Sequence, residues 1–424
     1  MKKLLLIALV ASTLVFTGCF KDDDTPIIIE ETTIIVNDPG NGGGDECPVI
    51  AVTGEIADGT VWTNDNIYQL NQKVVVPAGA TLTINPGTII KGSSGTGSLA
   101  SALIVARGGT LNANGSASEP IIFTSTADNI TCGQTAGTNL DEDDRGLWGG
   151  LIVLGNAPCS FSGDIPEAQI EGIPADDAFG LYGGTDANDS SGSMRYISIR
   201  HGGALIGEGN EINGLTLGGV GNGTVIDNIE VVANVDDGIE FFGGTCNASN
   251  LLVWAQGDDA IDIDQAYSGT IDNAVVVLGD ISDHAFEIDG PEGTANGSFI
   301  LRNATIIGNA VTSNGEYADY RSNAQGLTEN VYAFGFPAGK DVELDNDGVA
   351  TNYNNGDLTF GPWEIVLPTG VTNVEDIFVN NADTVTVTGF GSFATAVAEG
   401  AQTVGATTSN LSWTYSNAEG GLGF

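Results

Sequence analysis

Between residues 223 and 290 one pattern of apolar and polar positions is written three times: GTVIDNIEVVANVDDGIEFFGG, GTCNASNLLVWAQGDDAIDIDQA and GTIDNAVVVLGDISDHAFEIDGP. Gly223-Thr224, Gly244-Thr245 and Gly269-Thr270 open the copies, so the period is 21 and then 25 residues. A looser copy starts at Gly297-Ser298. Short β-runs with Gly, Asn and Asp at the bends, repeated at about this interval, predict a β-solenoid. Superposing the copies puts Val225, Cys246, Ile271 and Phe299 in one column. Ile239, Ile261 and Phe286 form a second, and Phe241, Ile263 and Ile288 a third. Strand side chains alternate with period two, so Glu240, Asp262 and Glu287 point the other way, outward. Asn228, Asn250, Asn273 and Asn303 make a further column at a bend, where Asn tolerates the left-handed conformation and bonds its neighbours above and below. Three strands per coil with inward aliphatic stacks predict a right-handed parallel β-helix, an all-β fold.

Composition narrows the partners. The chain carries 55 Asp plus Glu against 12 Lys plus Arg, a formal charge of −43 over 424 residues. Such acidity rules out ordinary binding to a nucleic-acid phosphate backbone. It fits a soluble surface exposed to salt and divalent cations. Only His201 and His284 are present, so a His-based zinc site is excluded and any metal is an oxygen-liganded ion such as calcium.

The N-terminus reads as a secretion signal: Lys2 and Lys3, an apolar run from Leu4 to Phe16, then Phe16-Thr17-Gly18-Cys19. Its end resembles a bacterial lipobox, with Phe16 in the place of the usual Leu. That resemblance implies a signal peptide at 1–18, a lipid on Cys19 and attachment to a membrane through it. Phe20-Lys21-Asp22-Asp23-Asp24 resembles the acidic export tag of Bacteroidota surface lipoproteins, which implies the outer membrane with the chain facing the cell exterior. Residues 19–46 are expected to be the lipidated Cys and a flexible tether, 47–335 the β-helix, and 336–424 C-terminal coils and cap with helix around 391–408. GATLTINPG at 79–87, GGTLNANGS at 108–116, Pro120-Ile121-Ile122-Phe123-Thr124 and Trp148-Gly149-Gly150 resemble bacterial surface β-helix proteins of the pectin-lyase-like kind. Two long insertions, 126–146 and 156–192, interrupt the coils and are expected as loops on one side.

The candidate chemistry lies in stacked acids: Asp236-Asp237, Asp258-Asp259 and Asp283-His284, with Glu240, Asp262 and Glu287 beside them and Asp264 and Asp289 beyond. Coils stack about 4.8 Å apart. Two carboxylates at that distance repel by about 1 kcal/mol in water and about 3–4 kcal/mol in a partly desolvated groove. Three readings follow. In the first, the acids cap backbone donors and keep a strand face soluble, and the surface binds a glycan, polysaccharide or surface protein. In the second, Asn234-Val235-Asp236, Gly257-Asp258-Asp259 and Asp283-His284 resemble motifs of polygalacturonase-like glycoside hydrolases. That likeness implies Asp236 and Asp259 as bases of an inverting hydrolysis, Asp258 as the acid and His284 as their orienter. The family's Gly-His-Gly is Asp283-His284-Ala285 here, and Arg302-Asn303-Ala304 stands where it has Arg-x-Lys. In the third, calcium binds, with Glu240, Asp262, Asp264, Glu287 and Asp289 as candidate ligands and the stretches 186–192 and 343–348 as alternating oxygen loops.

Trp62, Tyr68, Trp148, Tyr182, Trp254, Tyr267 and Tyr317 are candidate sugar-stacking platforms. Trp254, one residue past an inward Val253, should project outward. Of the cysteines, Cys246 is expected as a buried thiol. Cys132 and Cys159, at the roots of the insertions, are a candidate disulfide in an oxidising exterior, and Cys47 has no evident partner.

Overall fold

The computed structural model describes residues 34–35, 47–174, 177–205, 212–312 and 314–424. The expected signal peptide, Cys19 and nearly all of the tether lie outside these residues. The rest is a parallel β-helix of three strand columns. One column stacks Ala102–Val105, Leu151–Leu154, Leu215–Gly218, Ile239–Phe242, Ile261–Asp264, Phe286–Ile288, Ala318–Tyr320, Val342–Leu344 and Phe378–Asn380, each parallel to the next. The other two columns are made by single long strands with a bend inside them: Gly192–Arg200, Val225–Val232, Asn247–Trp254, Thr270–Val277, Phe299–Ile307 and Gly326–Phe334.

The bend is set by one residue type. Asn228, Asn250, Asn273, Asn303 and Asn330 all take a left-handed φ between 55° and 68°. Asn bears that conformation at lower cost than other non-glycine residues because its amide bonds locally. Asn273 donates to Asn250 at 2.8 Å and Asn330 to Asn303 at 3.1 Å, while Asn250 and Asn303 donate to Asp227 and Asp272.

The lumen is dry. Ile239 pairs in register with Ile261 and Phe286, and Phe241 with Ile263 and Ile288, and all six are buried. Thr81 and Leu82 of the first N-terminal repeat pair with Thr110 and Leu111 of the second. One column departs from expectation by one residue at Val225 and by two at Cys246 and Phe299, while Ile271 stands as expected. The stack is Ile226, Ala248, Ile271 and Leu301, because the distance from the opening Gly-Thr to the strand differs between coils. Cys246 is nonetheless buried, and burial pushes its thiol up to about 12.

The insertions are docked rather than open. Phe161, Ile170, Ile173 and Tyr182 of the second pack with Ile152, Leu154, Ile212 and Phe242 into a second core outside the helix. Gly218 makes room for it, since a Cβ there would lie 3.0 Å from the Tyr182 ring. The first insertion is pinned by a Cys47–Cys132 disulfide with Cα atoms 5.7 Å apart, and Cys159 is free. The expected Cys132–Cys159 pair is therefore replaced. Cys47 lies just ahead of Val49–Glu55, next to the coil from which the first insertion leaves, and Cys159 sits against Gly243 and the Phe242 carbonyl.

Parallel pairing continues past residue 335, through Leu358–Phe360 and Trp363–Ile365 to Ala394–Ala396. Among the described residues no α-helix forms at 391–408, and the α-helices are Asp347–Asn355 and Tyr415–Glu419. Residues 403–424 then run back along the outside of the coils. Ala406 N–H donates to Thr305, Thr407 N–H to Asn273, Asn410 to Asn250 and the Trp413 indole to Asn228. No helix among the described residues is long and apolar enough to cross a membrane.

Candidate functional site

Every coil turns from its bent strand into the acid-bearing column through a short loop, and the acid pairs lie in these loops. The second residue of each pair faces the neighbouring coil. Asp237 accepts the Asp259 N–H at 2.9 Å, and Asp259 accepts the His284 N–H at 2.7 Å and His284 Nδ1 at 2.8 Å. Asp237 and Asp259 are thus the acceptors that join successive turns, and both are buried. The first residue of each pair is placed toward solvent: Asp258 and Asp283 are exposed and Asp236 is half-buried. The Asp283 N–H donates to the Asp258 carbonyl at 2.9 Å, so these two rim positions stack directly.

The outward column is in register as expected. Glu240 pairs with Asp262, Asp262 with Glu287, Glu287 with Asp319 and Asp319 with Glu343. Outward does not mean exposed. Glu240, Asp262 and Glu287 are only 4%, 7% and 7% accessible, which corrects the expectation of an acidic face open to the outside. The docked insertion accounts for this closure near Glu240, where Glu171 adds a further negative charge.

Burial reshapes the charges. Desolvation, then mutual repulsion, raises the pKa of Asp237, Glu240 and Asp262 well above the carboxylate range. Burial and the neighbouring Asp289 bring Asp264 to about 7. Partial desolvation, helped by Asp259 and Asp283, also raises Asp258 at the rim. At His284 burial opposes the charge, but the hydrogen bond and charge of Asp259, with Asp283, outweigh it and lift the imidazole to about 9. His284 also lies 3.7 Å from Glu287, and Arg321 pairs with Glu287 and with Asp289, the latter at 3.0 Å.

Among the described residues four groups hold oxygen or nitrogen donors within 4.8 Å of one another: Asp236–Asp237–Asp258, Asp237–Glu240–Asp262, Asp259–His284–Glu287 and Asp319–Glu343–Asp345. The structure thus brings together the catalytic candidates Asp236 and Asp258, and separately Asp259 and His284. Of the expected calcium ligands it joins Glu240 with Asp262 and adds Asp237, which the sequence offered only as part of a doublet. Glu287 and Asp289 are held instead by Arg321. In the two oxygen-rich stretches several acceptors are engaged within the fold, while Glu343 and Asp345 belong to the group with Asp319. Asp189 accepts from Asn156, Asn346 caps the helix Asp347–Asn355, and Asp347 accepts from Thr384.

The aromatic candidates are all buried. Trp62 stacks on Tyr68 at 4.8 Å and Trp148 on Phe123 at 6.3 Å. Trp254 does project outward, but Tyr415 of the returning C-terminal segment covers it at 6.2 Å. The cavity of about 390 Å³ bounded by Asn64, Asp65, Glu119 and Gln134 lies on the N-terminal coils, among residues outside the acid pairs.

These features define a parallel β-helix protein with a laterally closed ladder of carboxylates. Residues 54–416 match the family described as a pectate-lyase like beta helix domain, and the chain belongs to that family. Two structures of the pectin methylesterase from Aspergillus niger are similar to it. One, penultimately deglycosylated, has 12% identity and a TM-score of 0.33, over 84% of this chain and 88% of that one. The other, deglycosylated, has 14% identity and a TM-score of 0.34, over 79% and 87%. No curated protein matches the chain.

Proposed function

We propose that this protein is a surface-anchored lipoprotein whose β-helix binds a glycan or another surface component without cleaving it. The anchor is the lipid on Cys19, and the location is the outer face of the outer membrane. The binding strip is the rim of Asp236, Asp258 and Asp283. The observation that carries the reading is the engagement of Asp237 and Asp259 as inter-coil caps, which turns the first acid of each pair toward the rim and ties down Asp259, one of the two bases that the hydrolase likeness implies.

One observation favours a second reading, polysaccharide cleavage. Asp258 is a rim carboxylate whose pKa is raised, which is how a general acid keeps its proton. Incubating the protein with a panel of polysaccharides, and measuring both retention and new reducing ends, separates the two. Binding predicts retention without new ends, weakened when Asp258 and Asp283 are changed to Asn. Reducing ends made by wild type and abolished by Asp258→Asn would replace binding by catalysis.

A further inference from the structure

The carboxylate ladder is balanced over only part of its length. Some acids have cations beside them: His284 bonds Asp259, Arg321 pairs with Glu287 and Asp289, and Lys340 with Glu316 at 3.1 Å. A further group is Asp237, Glu240 and Asp262, whose carboxylate oxygens lie within 4.8 Å of one another. All three are buried, at 6%, 4% and 7% accessible. Among the described residues no Lys, Arg or His makes an ion pair with any of them.

Two oxygens at this spot have no partner. Asp262 Oδ1 is buried and accepts no hydrogen bond, although it belongs to the cluster. Asn213 is 1% accessible; its amide nitrogen donates to Glu240, and its amide oxygen is buried and equally unpartnered. Asn213 is neutral, so its orphaned oxygen is a feature independent of the acids. Buried acceptors are nearly always satisfied, and three acids beside an amide oxygen meet that either by keeping protons, at the cost of their raised pKa values, or by sharing a cation that lets them ionise. Calcium takes oxygen ligands at about 2.3–2.6 Å, so oxygens within 4.8 Å of one another can share one such ion. Magnesium, at about 2.0–2.1 Å and with retained waters, calls for a smaller and wetter site.

We propose that Asp237, Glu240 and Asp262, with the amide oxygen of Asn213, bind one divalent cation of calcium's size. Asn213 precedes the strand Leu215–Gly218, Asp237 and Glu240 belong to the next coil and Asp262 to the one after. The ion therefore ties three successive coils together beneath the docked insertion. It is a structural centre that adjoins the rim strip through Asp237.

The test strips the full chain with a chelator and titrates it with calcium alone and with magnesium alone, by calorimetry and by thermal melting. One saturable equivalent of calcium, a raised melting temperature and a clear preference over magnesium are expected. Asp262→Asn should weaken calcium at least ~tenfold, as should Asn213→Ala, which alters no charge. Asp319→Asn, further along the ladder, should bind as wild type does. In chelator Asp262→Asn should melt above wild type, because it removes one of three mutually repelling charges. Absence of saturable calcium binding to the folded, stripped wild type overturns the proposal. So does calcium binding by Asp262→Asn or Asn213→Ala at wild-type affinity, and one folded variant of the two suffices to decide.

Discussion

Asp258 and Asp259 are neighbours of the same type with opposite duties. Asp259 accepts a main-chain and an imidazole hydrogen bond from the next coil, whereas Asp258 stands at the rim. Removing a buried acceptor strands its donors, which costs about 1–3 kcal/mol. Asp259→Ala should therefore destabilise by that amount in urea unfolding. Asp258→Ala should change stability by no more than ~0.5 kcal/mol, as exposed positions do. Equal losses from the two would refute the division of labour. The doublets were visible in the sequence, and so was the alternation that turns Glu240, Asp262 and Glu287 away from the lumen. Which Asp of a doublet caps was not, because loop residues between strands have no fixed phase.

At the scale of elements, the returning C-terminal segment closes around one side chain. Glu230, fully buried on the outer side of its strand, accepts the Ser198 hydroxyl at 2.5 Å, the Tyr415 N–H at 3.1 Å and the Ser416 N–H at 2.7 Å. Arg200, also buried, lies 4.3 Å from the centre of the Tyr415 ring and feels the charge of Glu230. Glu230→Ala would take from Arg200 the strongest of the negative charges it feels, with Asp128 and Glu419 remaining, and would leave the segment without its anchor. A loss of about 3–5 kcal/mol is expected. Release of the segment should also shift Trp254 emission to the red and expose residues 403–424 to protease. Wild-type proteolysis of the variant would mean that the segment is held elsewhere. A cap was foreseeable, since a solenoid must close its end coil. Its path was not. The Ala-rich stretch around 394–398, which favours helix by composition, is drawn into the last strand of the sheet by pairing with Trp363–Ile365, an instance of tertiary context overriding propensity. The lateral cover over Trp254 and over the acid ladder comes from segments with no period, and columns carry no information about them.

Across the whole molecule, an acidic protein that buries part of its acid should gain stability from mild acid. Burial raises Asp319 from 3.8 to about 7, and burial with Glu316 raises Asp341 to about 7. The folded state then holds more protons than the unfolded chain between those values, so their contribution falls as pH rises toward 7 and above. His284 acts in the same direction. Its folded pKa of about 9 exceeds 6.5, so the stability from its ion pair is complete below 6.5 and is lost as pH climbs through 9. His201 has the opposite sign: burial lowers its pKa, so it costs stability only below 6.5. Asp164 and Asp347, held low by hydrogen bonds to Thr294 and Thr384, lose their contribution only below 3.8. His284 shares the window from 6.5 to 9 with Asp264, Asp319 and Asp341 at about 7, all acting in the same direction. Unfolding free energy measured at fixed calcium should drop across it by on the order of 2 kcal/mol or more. In His284→Gln the upper part of that slope, between 7 and 9, should shrink. A flat wild-type profile, or an unchanged slope in the variant, would show that the Asp259–His284 contact does not hold the imidazole charged in the folded protein.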